Sequence, residues 1–110
     1  MTGKKNHQIS LEEAQQLIKN FRKQNNGIIG GLFDKESILQ LLQQPDCVSV
    51  RYYFGQNEDG DNVVIMIGVD VKGNDILNGL ILEKAFPCPP YCGEKNIMSF
   101  KELKELRELV

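Results

Sequence analysis

The chain has 110 residues, 41% of them hydrophobic and 25% charged, with no Trp and a net charge of −2. That length suits one domain with one modest core, burying roughly 60–70% of the surface of the unfolded chain. The near-neutral, interspersed charge removes any electrostatic case for nucleic acid or an anionic membrane as partner, and no apolar run reaches the ~20 residues of a membrane helix.

The opening residues, MTGKKNHQ, are polar and hold the only histidine, His7. Residues 1–8 are expected to form a disordered tail, and residues 9–110 a single α+β domain. No apolar segment of the kind a signal peptide needs follows Met1. The three cysteines are an odd number and not a disulfide framework. Both points lead to a cytoplasmic expectation.

ISLEEAQQLIKNFRKQNNG predicts a first helix. Ser10 and Glu13 form an S-x-x-E capping box. Ala14, Leu17, Ile18 and Phe21 make one apolar stripe, read as core-facing. Lys19, Arg22 and Lys23 suit the negative end of the helix dipole. Asn25-Asn26-Gly27 stops the helix, because Asn and Gly tolerate the left-handed conformation. GIIGGLF then reads as an apolar connection tucked under the helices; its glycines lack the lysine and hydroxyl of a phosphate-binding loop. A second helix is expected from an Asp34 N-cap through KESILQLLQQ, with Ile38, Leu41 and Leu42 inward, ending at Pro45.

CVSVRYYFG alternates with period two and predicts a strand, and VVIMIGVDV a second one, central and covered on both faces. QNEDGDN turns one into the other as an antiparallel hairpin. After KGND, ILNGLILEKAF reads either as a third strand or, because Asn78-Gly79 interrupts it, as a turn followed by a short strand at 80–84. PCPPYCGEKN is a loop, since its prolines remove backbone donors. SFKELKELRELV repeats the capping box at Ser99 and Glu102 and predicts a short C-terminal helix.

Candidate chemistry is sparse. The acidic turns NEDGDN and DVKGND resemble calcium loops, but centring either on its glycine puts residues without side-chain oxygens at obligatory ligand positions. His7 lies in the tail, away from any cysteine it could activate, so no catalytic set is read and no enzyme is expected. Tyr52, Tyr53 and Arg51 on a strand could stack a base, but the basic surround of an RNA-binding sheet is missing. Cys88 and Cys92 have the spacing of a zinc hook and are the weak metal candidates; Cys47 and His7 would have to complete the site. The same pair has one residue too many for a C-x-x-C redox motif. A local disulfide needs the loop to curl back, whereas an extended polyproline run holds the two Cα atoms about 12 Å apart. The favoured reading is a rigid strap whose cysteines act as small buried apolar groups.

PDCVSVRYYFGQNEDGDNVVIMIGVDVKGND, with the later FPCPPYCG, resembles a family of small uncharacterised Bacteroidetes proteins marked by a terminal Cys-Pro-Pro-x-Cys. The resemblance covers roughly residues 9–93. It implies a bacterial source and a free-standing domain, and it carries over no activity, cofactor or site residue.

The expected fold is α+β: two N-terminal helices packed on a small antiparallel sheet, made of the hairpin and a possible third strand, with a short C-terminal helix beside them. The expected function is a non-enzymatic protein-interaction module without cofactor, self-associating as a homodimer or binding another protein. Arg51 and Tyr53 share the outer face of the hairpin and are its interaction candidates. The alternatives are a metal-binding or thiol-redox protein acting through Cys88 and Cys92, and a small-molecule binder with a pocket between helices and sheet.

Overall fold

The computed structural model describes residues 5–99. Two helices, α1 (Leu11–Arg22) and α2 (Lys35–Leu42), and five strands, β1 (Gly30–Leu32), β2 (Ser49–Gln56), β3 (Asn62–Val69), β4 (Ile81–Leu82) and β5 (Phe86–Cys88), follow one another in the order α1-β1-α2-β2-β3-β4-β5. The strands form two antiparallel sheets: a ribbon of β1 and β5, and a three-stranded sheet in the order β2-β3-β4. Among the described residues no helix is long and apolar enough to cross a membrane.

The class is α+β, but the expected architecture is corrected. There are two sheets, and β1 stands between the helices, so the chain does not lay two consecutive helices on one sheet. The expected C-terminal helix lies outside the described residues. The GIIGGLF and PCPPYCG segments, read as connection and loop, pair with each other: Gly30 faces Cys88, Gly31 faces Pro87, and Leu32 faces Phe86. The glycines permit this approach, since a Cβ on Gly31 would lie 3.0 Å from that of Ala85. Pro87 is tolerated because a two-stranded ribbon leaves an outer side where no donor is required.

Both helix starts follow the sequence. The Ser10 hydroxyl accepts from the Glu13 amide at 3.1 Å and donates to the Glu13 carboxylate at 3.3 Å. Asp34 accepts from the Glu36 amide at 3.1 Å. The end of α1 works differently from expectation. No residue from 25 to 27 adopts a positive φ; instead the Asn25 side chain donates to the Phe21 carbonyl at 2.9 Å. Helix α1 has no buried residue, which overturns its stripe as a core face.

The core sits where α2 meets β3. Leu41, Ile67 and Val69 are its buried hydrophobic side chains among the described residues. The Gln44 side chain fastens this junction to the turn before β4. Its Nε2 donates to the Leu41 carbonyl and its Oε1 accepts from the Leu80 amide, both at 2.8 Å. The segment ILNGLILEKAF takes the second of its two expected forms, a turn at 76–79 and then the short β4.

The hairpin turns share one construction. In the first, the Asn57 side chain accepts from the amides of Asp59 and Asp61, and Gly60 takes φ +81°. In the second, Asp70 accepts from those of Lys72 and Asn74, and Gly73 takes φ +86°. Their side-chain oxygens bind their own backbone, as turn-forming Asx residues do.

Candidate functional site

Strand β2 has two unlike faces, because successive side chains point to opposite sides. Register with β3 places Arg51 opposite Ile67 and Tyr53 opposite Ile65 on one side, and Tyr52 opposite Met66 and Phe54 opposite Val64 on the other.

The Arg51 and Tyr53 side is organised by a residue the sequence reading did not single out, Asp75. The second turn delivers Asp75 to a bridge position opposite Val69. There its carboxylate accepts from the Arg51 guanidinium through Oδ1 and from the Tyr53 hydroxyl through Oδ2. Arg51 also donates to the Gly73 carbonyl at 3.3 Å. The Tyr53 hydrogen bond, with Arg51 adding to it, holds the Asp75 carboxyl below the ordinary carboxylate range. The bond to Asp75 pushes the Tyr53 phenol up, and the same carboxylate raises Arg51. The two interaction candidates share one side of β2, and much of their polar capacity is spent on a shared internal anchor. The turn DVKGND was the available signal: a carboxylate next to a tight turn lands beside the strand that the hairpin has already aligned.

The opposite side is apolar and open. The stripe Leu17, Ile18 and Phe21 of α1, the linker residues Ile28 and Ile29, and the Tyr52, Phe54 and Val64 side chains enclose a groove of about 520 Å³. Its end wall is the β1–β5 ribbon, through Gly30, Gly31 and Pro87. Asn25, Asn62 and Glu83 are its polar lining residues. The Tyr52 and Phe54 rings meet edge to face at 5.5 Å. Tyr52 is 58% exposed, Leu17 60% and Phe54 81%.

The Cys88 and Cys92 sulfurs are bonded to each other, with the Cα atoms 4.8 Å apart. This corrects the extended strap. The loop curls back, with Cys88–Pro89 and Pro89–Pro90 both cis, and the Tyr91 amide donates to the Pro87 carbonyl at 2.8 Å. The Phe86 and Tyr91 rings pack edge to face at 5.3 Å across the closed loop. Cys47 is a free thiol that donates to the Ser49 carbonyl at 3.2 Å. Among the described residues no group of three or more His, Cys, Asp and Glu side chains is placed to hold a metal ion.

Comparison with known proteins finds no matching family model, no matching curated protein and no matching solved structure. No role is transferred to any residue, and the functional reading rests on the geometry alone.

Proposed function

We infer that the protein is a non-enzymatic interaction module whose docking surface is the groove between α1 and the β2–β3 hairpin, taking an apolar segment of another protein chain. The observation that carries this is the rim. Leu17 and Phe54 project into solvent on either side of the cleft. Small-molecule sites enclose most of their ligand's surface, whereas a cleft edged by half-exposed apolar side chains suits a laid-on segment that contacts rim and floor together. Contiguous exposed apolar surface of this kind marks interaction sites in soluble domains.

The test is a photo-crosslinking amino acid placed at Leu17, with Gln16 as the control position on the exposed side of the helix. The expected result in the source cells is a discrete protein adduct at 17 and not at 16, reproduced with the two purified proteins. A tightly held small molecule of defined mass on the natively purified protein, with no protein adduct, contradicts the reading and favours the small-molecule alternative, which the groove volume would also admit.

The thiol alternative and the cytoplasmic expectation meet at Cys88 and Cys92. Bonds of this kind persist in oxidising compartments, so a pair that stays bonded in the cell would place the protein outside the cytoplasm. Rapid alkylation during lysis separates the cases. Only Cys47 is modified if the pair stays bonded in the cell; all three are modified if the compartment is reducing.

A further inference from the structure

Strand β2 ends its sheet, and no strand among the described residues pairs with its outer side. In an antiparallel sheet, alternate residues of such a strand turn their N–H and C=O groups outward. Natural edges are guarded by lysine, proline, bulges or shortness. The eight residues of β2, SVRYYFGQ, contain neither lysine nor proline and pair with β3 in unbroken register. The strand's sole charge, Arg51, is neutralised by Asp75 of the same chain.

We propose that β2 is a self-association edge: a second copy of this chain adds its own β2 antiparallel to the first, about a two-fold axis through Tyr53, making one continuous six-stranded sheet. Such an axis runs perpendicular to the sheet, so residues facing each other lie on the same side, and the register must centre on a residue rather than between two. Centring on Tyr53 sets Tyr52 opposite the second copy's Phe54, and Phe54 opposite its Tyr52. The edge-to-face pair already present in each chain thereby becomes a cluster of four rings, the kind of cross-strand aromatic pairing that stabilises sheets. Arg51 then faces Gly55 of the second copy, which leaves its guanidinium on Asp75 undisturbed. The exposed rings of β2 supply a few hundred Å² of apolar surface per copy, a substantial share of the roughly 800 Å² per partner of a stable interface.

Tyr52 and Phe54 also line the groove, so dimerisation is separated from groove binding through Leu17, which lines the groove on α1 and lies off the β2 edge. Light scattering from the full chain is expected to show twice the monomer mass at high micromolar concentration. Phe54→Lys should return the monomer mass with an unchanged circular dichroism spectrum, because Phe54 is 81% exposed within one chain; Leu17→Lys, in the groove, should leave the dimer intact. In a Cys47→Ser background, mild oxidant should cross-link Tyr53→Cys to its own copy and leave Tyr52→Cys uncross-linked. A wild-type monomer mass at high micromolar concentration overturns the proposal, whatever the groove binds. So does a dimer unaffected by Phe54→Lys, or one cross-linked through position 52 and not 53.

Discussion

The Asp75 carboxylate ties two strand residues to one turn, and its titration is readable. Its folded pKa is lowered, chiefly by the Tyr53 hydrogen bond, so its contribution to stability is present above the ordinary carboxylate pKa and is lost as pH falls through the folded value. Tyr53 runs the other way. Its folded pKa is raised, first by the bond to Asp75; its contribution is present below the ordinary phenol pKa and is lost as pH rises through the folded value. An alkaline titration followed by tyrosine ultraviolet absorbance should show the Tyr53 phenol ionising above the ordinary phenol range. Asp75→Asn should bring the Tyr53 phenol down, and a titration unchanged by the substitution would refute the coupling. A second residue-scale prediction concerns Gly79. A Cβ there would lie 2.1 Å from Gln44 Oε1 and 3.0 Å from Ile76 Cγ2. Gln44 can move only by giving up its bonds to Leu41 and Leu80. Gly79→Ala should therefore lower unfolding free energy by about 1–3 kcal/mol in chemical denaturation. The sequence marked Gly79 only as an interruption; the glutamine that needs the space is 35 positions away by numbering, and nothing local announces it.

Elements with a local cause were legible and elements with a remote cause were not. Ser10 and Asp34 announced both helix starts because a cap is satisfied within one turn. The β2–β3 hairpin was legible for the same reason: alternation and turn chemistry lie within one continuous segment, Ser49 to Val69. The β1–β5 ribbon joins segments nearly sixty positions apart, and neither Gly-Gly nor Phe-Pro-Cys resembles a strand alone. The disulfide that closes the loop after β5 belongs to the same blind spot, since spacing alone left four readings of that pair open. Its stabilisation follows from loop closure: bridging cysteines four apart removes about 2 kcal/mol of chain entropy from the unfolded state. Cys88→Ser with Cys92→Ser should lose about that much in urea denaturation under oxidising conditions, and no difference should remain once the wild type is reduced with a dithiol. A double variant that fails to fold would mean that the loop holds far more than itself.

For the whole molecule, the sequence carried the α+β class but misplaced the apolar surface. The stripe Leu17, Ile18 and Phe21 has the periodicity of a core face, and periodicity says which side chains cluster, not what covers them. In the structure α1 buries none of its residues. The core gathers instead around Leu41, Ile67 and Val69, and the stripe lines an open groove. Alternation in the sequence put Arg51 and Tyr53 on one face of β2, but the groove lies on the other face, with Tyr52 and Phe54, and neither that groove nor Asp75 could be placed without the register of the strands. On the proposed function, the groove displays its apolar side chains for a partner, and folding does not depend on them. The most direct test is urea unfolding of Leu17→Lys, a substitution that keeps helix propensity, at a concentration where the wild type is monomeric. An unfolding free energy within about 0.5 kcal/mol of wild type is expected, as for a surface residue. A loss of about 2–5 kcal/mol, the cost of removing a packed leucine from a core, would show that the groove is filled in the folded chain and contradict that reading.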